Sequence, residues 1–383
     1  MANKRDKVVV AMSGGVDSSV AACLLVERGY QVIGLFMRVG MEQPHECNGH
    51  DDGLPGRSRS GCCSAADARD AHLVAGMLGI PLYALDFKSD FEPIIDYFVD
   101  EYAVGRTPNP CIVCNEKLKF GKMVEYADAV GAKYIATGHY ARIQRRDSKP
   151  LLTRGVDHGK DQSYVLFGLD RPVFDRVMFP VGELTKKAVR EHARRLGLHN
   201  RDKPDSMEIC FVPDNDHARL LRERRPEIFV EGDVVDDENN VVGRHRGAAQ
   251  YTIGQRRGLG IAAGKPIYVT RIDTDTNTIT VGGRDALLSS VLIADRVNFL
   301  ADPPSERFRA HVQIRYQHRA APATVCRMDE SRVRVVFDQP QSAITPGQAS
   351  VIYDGDVVVG GGWIEQAEGR VDTSVKTPHR ADA

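Results

Sequence analysis

No apolar run in the sequence approaches the ~18 residues needed to cross a bilayer, which excludes a membrane-spanning helix from the reading. The charged start, Met1 to Lys7, runs directly into Val8-Val-Val10 with no apolar region of the secretory type, so no signal peptide is read there. Net charge is almost absent as well, −1 over 383 residues, and does not by itself point to a polyanionic partner. No Gly-x-x-x-x-Gly-Lys-Ser/Thr segment occurs, so the ordinary phosphate loop is excluded. Tryptophan is reduced to a single residue, Trp363, which reads as core. Cysteine is not scarce: there are eight. Without an export signal they are expected to be reduced, reactive or metal-bound thiols in a cytoplasmic protein rather than a disulfide scaffold.

At 383 residues the chain exceeds the usual single-domain size, and two or three domains are expected. The first two hundred residues alternate strand and helix. Strands are expected at Lys7–Met12, Gln31–Met37, Leu82–Phe87 and Lys133–Thr137. Helices are expected at Asp17–Arg28 with Val20, Leu24 and Leu25 on one face, at Ser64–Leu78 with Ser64 as N-cap, and at Asp90–Val104 and Asn115–Val130. This rhythm predicts an α/β domain with a doubly wound parallel sheet, Rossmann-like, over residues 1–211. Between Gly40 and Gly61 the pattern dissolves into a long loop with His45, Cys47 and His50, closely followed by Cys62 and Cys63. Those spacings match no standard zinc finger. Beyond 211, short β-rich runs such as Ile267–Ile272, Thr278–Val281, Arg332–Phe337, Ala349–Tyr353 and Val357–Trp363 predict two small β-rich domains. They are placed at 212–290 and 291–366, the second barrel-like, with a frayed polar tail at 367–383.

Charge is uneven within this frame. From Val242 to Arg271 there are six cations (Arg244, Arg246, Arg256, Arg257, Lys265, Arg271) and no acid. From Arg307 to Arg327 there are five arginines and again no acid. With Tyr251 and Tyr316 inside these runs, they suit a surface that tracks phosphates and stacks bases; a solvated basic face is the alternative.

Ser13-Gly-Gly-Val-Asp-Ser-Ser19 lies between a buried strand and an amphipathic helix. Its glycines let backbone amides approach phosphate oxygens, and the helix N-terminus adds positive potential. Ser13, Ser18 and Ser19 can donate hydroxyl hydrogen bonds, while Asp17 either supports a magnesium ion or caps the helix. The segment resembles the pyrophosphate-binding loop of the ATP pyrophosphatase superfamily, whose members adenylate a substrate oxygen and release pyrophosphate.

Further motifs narrow the resemblance: Thr107-Pro-Asn-Pro-Cys-Ile-Val-Cys-Asn-Glu-Lys-Leu-Lys-Phe120, Ala136-Thr-Gly-His-Tyr140, Lys160-Asp-Gln-Ser-Tyr164, Phe179-Pro-Val-Gly-Glu-Leu184 and Tyr251-Thr-Ile-Gly-Gln-Arg-Arg-Gly-Leu-Gly260. Together with Arg315-Tyr316 and Thr345-Pro-Gly-Gln348, they make residues 7–366 similar to the bacterial tRNA-uridine 2-sulfurtransferases, the tRNA-specific 2-thiouridylases. That resemblance implies ATP contacts at Ala11, Met12, Ser13, Gly14, Gly15, Val16, Asp17, Ser18, Met37 and Gly138. It implies target-base contacts at Asn109, Pro110 and Cys111, and tRNA contacts at His139, Lys160, Asp161, Gln162, Arg315, Tyr316 and Gln348. Cys114 becomes the nucleophile and Cys210 the persulfide carrier. The implied partners are tRNA and a sulfur-donor protein or sulfide source, with no membrane; the implied cofactors are ATP and Mg2+.

The implied chemistry is coherent. The C2 carbonyl of uracil is a poor electrophile with a poor leaving oxygen. Adenylation of O2 expels pyrophosphate, and sulfur attack on C2 then releases AMP. A thiolate or persulfide is the required nucleophile. In this family many members carry Asp at the position of Cys111, where a carboxylate would suit acid/base work or activation of the cysteine. The thiol here leaves two mechanisms open. Cys114 and Cys210 could work as a persulfide pair, with Cys111 a benign replacement. Alternatively Cys111, Cys114 and Cys210 could ligate three irons of a [4Fe-4S] cluster whose fourth iron carries sulfide; a structural zinc is a third possibility. Smaller signals also divide: His139 is either a tRNA contact or a satisfied loop histidine, Asp161 a tRNA contact or a cap, and Asp205 either orients the Cys210 loop or caps it. Cys23 and Cys326 read as packing residues. Competing functions are another ligase of the superfamily (amidating or argininosuccinate-forming), a tRNA cytidine thiolase, and a non-catalytic tRNA-binding module.

Overall fold

In the computed structural model the described residues are 6–40, 64–205, 209–212, 216–261 and 264–370. The chain divides into two compact units, residues 1–96, 110–217 and 356–358 in the first and the remainder in the second.

The first unit is built on β1 (Lys7–Ala11), α1 (Val16–Glu27), β2 (Gln31–Arg38), α2 (Ala65–Leu78) and β3 (Leu82–Asp86). The division falls inside α3 (Lys88–Ala103). The first unit resumes with α4 (Pro110–Val113), a π-helical stretch Cys114–Lys122, α5 (Met123–Ala129) and β4 (Tyr134–Ala136). A hairpin of β5 (Ala141–Arg146) and β6 (Lys149–Arg154) follows, then β7 (Val177–Met178) and α6 (Lys186–Arg195). The five-stranded sheet has the order β3-β2-β1-β4-β7, and each pairing within it is parallel. A parallel sheet covered on both faces needs strands that are apolar throughout, not alternating. Val8, Val9 and Val10 of β1 are fully buried, each worth about 1.5–3 kcal/mol of apolar burial. Their neighbours include α1, which is buried from Ser18 to Leu25 and so lies in the core on most of its circumference, not only along the Val20–Leu24–Leu25 face. Ser64 caps α2 as expected: its hydroxyl accepts from the Asp67 amide at 3.1 Å while the Asp67 carboxylate accepts from the Ser64 amide at 3.0 Å.

The order of the strands reverses between β1 and β4. In open α/β sheets this switch point opens a crevice beyond the carboxyl ends of the strands. Two loops meet there: Met12–Gly15 after β1 and Thr137–Tyr140 after β4. The expected alternation of strand and helix fails between β4 and β7, where the hairpin and short 3-10 turns replace a crossover helix. Asp147 (φ 50°) and Ser148 (φ 66°) make its two-residue turn with positive φ at both positions. Without a glycine at that turn, the sequence carries no strong hairpin signal.

In the second unit, α7 (His217–Arg224), which starts at the division, precedes a four-stranded sheet of β8 (Gly232–Val235), β9 (Val241–His245), β10 (Tyr268–Asp273) and β11 (Thr278–Gly282), ordered β10-β11-β8-β9. Its core gathers Val234, Val269, Ile279 and Val281. The final strands are β12 (Leu288–Phe299), β13 (Arg307–Gln313), β14 (Ala321–Arg327), β15 (Val333–Ser342), β16 (Ala349–Asp354) and β17 (Val357–Arg370). They follow the order β12-β15-β14-β13-β16-β17, and pairing of β17 with β12 closes a six-stranded barrel. Strand β13 shows the period of two that a barrel wall needs: Phe308, Ala310 and Val312 are buried, Arg307, Arg309 and His311 exposed. Ala367 to Arg370, expected in a frayed tail, instead continue β17, because Leu292 and Ser289 of β12 pair with Ala367 and Arg370. Trp363 is buried and meets Tyr97 edge-on at 5.9 Å, a core residue as read. Among the described residues no helix is long and apolar enough to cross a membrane.

Candidate functional site

The loop after β1 is shaped by backbone conformation first. Gly14 has φ +75°, and a Cβ there would collide with the backbone carbonyl of Asp67 at the start of α2. Only glycine meets both conditions. Gly138, in the loop after β4, is equally constrained: a Cβ would lie 2.7 Å from the Ser18 amide at the N-terminal end of α1. The two loops are thus packed backbone to backbone at the switch point.

Around this contact the side chains hold the loop open-ended toward solvent. Ser18 Oγ accepts from the Ser13 amide at 3.2 Å and donates to the Gly15 carbonyl at 3.1 Å, and Ser19 Oγ donates to the same carbonyl at 2.9 Å. Ser13 itself is exposed. From behind, buried Asn200 donates to the Gly14 carbonyl at 2.9 Å and to Ser19 Oγ at 3.0 Å, and Lys203 donates to the Gly14 carbonyl at 3.3 Å. Lys203 is itself anchored by Asp67 (2.5 Å) and Asp70 (2.7 Å). With both carbonyls at 14 and 15 occupied by donors, the loop presents amides, the arrangement that binds an anion. Ala11, Met12 and Val16 are the strand end and buried hydrophobics that fix its two ends, and Met37 is half-buried near the carboxyl end of β2. Neither Asn200 nor Lys203 was marked by sequence reasoning, since they lie 186 and 189 residues from Gly14 along the chain and in no recognisable motif.

Asp17 does not cap α1. The N-cap is Gly15 with no side-chain cap, and the Asp17 carboxylate takes both oxygens to Lys186 Nζ at 2.7 Å. Tyr140 also donates its hydroxyl to Asp17 Oδ1 at 2.8 Å, and burial together with the charge of Asp17 pushes the phenol far above its ordinary pKa. Lys186 is buried and reaches a second carboxylate, Asp205 Oδ1, also at 2.7 Å. Asp205 receives Lys160 at 2.8 Å and Arg190 at 3.2 Å in addition. Burial would raise the Asp205 pKa, but the hydrogen bonds from Lys160 and Lys186 outweigh it and hold the carboxyl at about 2. Asp205 is therefore the ionised hub of a cationic cluster at the head of the segment leading to Cys210, more than a cap.

Each of the remaining expected residues has a definite place. Cys111 is exposed on α4, and Cys114 and Cys210 are half-buried. Cys114 opens the π-helical stretch, which runs to Lys122 where an ordinary α-helix was expected. Widened turns of this kind are uncommon and concentrate at functional sites. All three thiols lie in the first unit with the phosphate-type loop. Among the described residues no three His, Cys, Asp or Glu side chains are gathered closely enough to hold a metal ion. Cys111, Cys114 and Cys210 therefore do not form a ligand set for the [4Fe-4S] cluster or for zinc in this arrangement. His45, Cys47, His50, Cys62 and Cys63 lie outside the described residues. Cys23 is buried in the core, and burial pushes its thiol up to about 11, as suits a packing residue; Cys326 is half-buried on β14.

His139 is buried between Phe120 (6.0 Å) and Phe179 (6.1 Å), with Nδ1 at 2.7 Å from Thr137 Oγ1. Burial, with Lys119 adding to it, holds its pKa well below the usual value, so the ring is neutral. A contact with RNA through this side chain would require those neighbours to open. Asp161 accepts from Arg154 (2.8 Å), the Gly155 amide (3.0 Å) and Ser163 Oγ (2.8 Å), a knot that shapes the turn. Gln162 accepts from the Tyr140 amide at 3.0 Å, tying that turn to the loop after β4. Asn109 is half-buried and Pro110 buried.

In the second unit, Arg244, Arg246, Arg256, Arg257, Lys265 and Arg271 are all exposed, as a phosphate-tracking face requires. Tyr251 is not part of that face: it is 8% exposed and packs against His245, because its ring fills the core of the four-stranded sheet. Tyr316 is 39% exposed and does suit stacking. Arg309 is paired bidentately with Asp338, so part of the second basic run is neutralised by a neighbouring strand. Arg315 donates to the Ser342 carbonyl at 3.0 Å, and Gln348 donates to the carbonyls of Thr107 (3.1 Å) and Pro108 (3.2 Å).

Comparison with known proteins agrees with this layout. Family models described as the tRNA methyl transferase HUP domain, the tRNA methyl transferase PRC-barrel domain and the aminomethyltransferase β-barrel domain match residues 6–214, 219–283 and 289–364. A tRNA-specific 2-thiouridylase of Carboxydothermus hydrogenoformans is 50% identical, covering 94% of this chain and 98% of the relative. The chain belongs to the tRNA-specific 2-thiouridylase family. Family members from Rhodopirellula baltica (46% identical, 94% of this chain and 96% of the relative) and Acetivibrio thermocellus (47%, 94% and 99%) match over the same extent. The domain descriptions speak of methyl transfer, but the family members that match end to end are thiouridylases.

Proposed function

We propose that the chain catalyses ATP-dependent 2-thiolation of the wobble uridine of tRNA. One observation carries the reading: a chain matching thiouridylases end to end keeps an anion-binding loop and the three thiols in one compact unit. ATP enters with its magnesium on its own phosphates, since Asp17 is committed to Lys186. The amides of Gly14–Ser18 take the phosphates, uridine O2 attacks the α-phosphate, and pyrophosphate leaves.

Sulfur arrives as a persulfide on Cys210: its thiolate attacks the outer sulfur of a persulfide carried by a donor protein, and the donor's own thiolate leaves. The terminal sulfur of the Cys210 persulfide attacks C2, the C2–O bond breaks, and AMP leaves. The Cys114 thiolate then attacks the Cys210 sulfur, the S–S bond to the base's sulfur breaks, and 2-thiouridine is released. The two cysteines supply the two electrons that reduce the transferred sulfur, and they are left as a Cys114–Cys210 disulfide, which an external dithiol reduces. Cys111 is not required by this sequence of bonds. A tRNA substrate would place the work in the cytoplasm.

The test is formation of 2-thiouridine in a tRNA transcript supplied with ATP, a persulfide donor and a dithiol. Pyrophosphate released in proportion to thiolated base is the expected result. Thiolation of cytidine alone, or ATP turnover indifferent to tRNA, would reject the assignment. For the RNA-binding half, Arg315→Ala is expected to weaken tRNA binding and to reduce the slope of log affinity against log salt by about 0.9, one phosphate contact. ATP affinity should not change. An unaltered tRNA affinity would make the stretch from Arg307 to Arg327 a solvated face.

A further inference from the structure

Between α3 and α4 the chain runs through Arg106-Thr-Pro-Asn109, a stretch with no regular secondary structure. Prolines at 108 and 110 remove two amide donors and push Thr107 and Asn109 toward extended backbone, so the stretch builds neither helix nor ladder by itself. Its carbonyls must find donors elsewhere. They find them within the second unit, in the turn between β15 and β16. Gln348 Nε2 donates to the carbonyls of Thr107 at 3.1 Å and Pro108 at 3.2 Å, and the Thr107 amide donates to the Pro346 carbonyl at 2.9 Å. Gly347 permits this approach: it has φ +88°, and a Cβ there would lie 2.9 Å from both the nitrogen and the oxygen of Thr107. The turn is fixed in its turn to β17. The Gly347 amide donates to the Ile364 carbonyl at 2.9 Å, and the Ile364 amide to the Gln348 carbonyl at 2.8 Å. From the segment between β9 and β10, Thr252 accepts the Thr107 hydroxyl at 3.3 Å.

We propose that Gln348 is a positioning residue for the target base: it serves thiolation by holding Thr107 and Pro108, and through them Asn109, rather than by touching tRNA. The inference rests on the function proposed above. A side-chain amide has two N–H groups, and two carbonyls already face this one, so no donor remains for a phosphate or a base edge. Asn109 follows directly on the held carbonyls and precedes a proline, which restricts its own backbone. Two neighbouring residues, a donor at 348 and a bare Cα at 347, thus fix the same stretch by independent means. The Tyr251-to-Gly260 motif takes part through Thr252, whose amide donates to Gln255 at 3.1 Å. That role does not require Tyr251 at the surface.

The test separates binding of a tRNA transcript from its reaction. Gln348→Ala is expected to keep the tRNA Kd within about twofold of wild type, with the salt slope and the number of sites per protein unchanged, because no phosphate contact is lost. At saturating tRNA, single-turnover 2-thiouridine formation should fall about tenfold or more, the scale on which small misplacements act. Pyrophosphate release should fall with it, since both steps need the base in place; in the cysteine variants part of the adenylation survives. Gln348→Glu keeps the shape but turns an acceptor toward two carbonyls, and should be as slow as Gln348→Ala. A space-filling role would leave it fast. Gly347→Ala presses on Thr107 with Gln348 intact and should reproduce the same split between affinity and rate. If Gly347→Ala does not fold, the two Gln348 variants decide. An intact bound-tRNA rate in Gln348→Ala or Gln348→Glu, with or without lost affinity, overturns the role. Affinity lost in Gln348→Ala as far as the rate does so too, and makes Gln348 an RNA contact. Wild-type protein that forms no 2-thiouridine rejects the functional assignment and this role with it, a result distinct from either.

Discussion

Gly14→Val is expected to reduce tRNA-dependent pyrophosphate release by about a hundredfold or more, the scale of a 1 Å misplacement of a catalytic element. Valine at φ +75° is a strained, β-branched outlier costing on the order of 1–3 kcal/mol. Its Cβ would also meet the Asp67 carbonyl, and that residue cannot retreat. Asp67 closes the capping box of α2 and is anchored by Lys203. The loop must therefore move, and its amides leave the phosphate position. Asp17→Ala should have the same effect on adenylation by a different route, since it releases Lys186 and Tyr140 from the loop. In both variants tRNA affinity, measured by filter binding, should stay near the wild-type value, because the exposed arginines of the second unit are untouched. A loss of tRNA affinity that matches the loss of adenylation would show that the two tasks are not divided as described.

Cys210→Ser and Cys114→Ser should each abolish 2-thiouridine formation while part of the adenylation survives. ATP activation precedes sulfur attack and uses the loop after β1, whereas sulfur transfer has no route without a persulfide carrier or without the thiolate that cleaves it. Cys111 discriminates between mechanisms. If only Cys114 and Cys210 exchange sulfur, Cys111→Asp remains active and restores the residue many family members carry there. If the three thiols must ligate iron, the same variant loses iron and activity together. Anaerobic purification with iron and acid-labile sulfide analysis, beside the thiolation assay, reads both at once. Active, iron-free Cys111→Asp is the expected outcome, because the three thiols are not gathered as a ligand set. Full thiolation by Cys210→Ser would overturn both mechanisms.

Much of this protein is legible in one dimension. The run Val8–Val10 is apolar at consecutive positions, which only a strand buried on both faces tolerates, and Ser13-Gly-Gly at its end declares a turn that must pass close to something. Ser64 announces the start of α2, because a capping side chain acts within three residues of itself. These are short-range effects, and sequence spacing encodes them directly. The family, the order of domains and the identity of the thiols follow from motifs of the same local kind.

Other features depended on distance in space. That Asp17 faces an ammonium was decided by Lys186, 169 residues further along the chain. Tyr251, which sequence context placed on an RNA-facing surface, was claimed by the core of the four-stranded sheet. His139 went to an aromatic pocket where burial keeps it neutral. A side chain's exposure and the partner of a buried charge are properties of the packed interior, set by desolvation over contacts that no local pattern records. The sequence alone determined which chemical groups this protein brings to its site; tertiary packing decided which of them are committed to one another and which remain exposed.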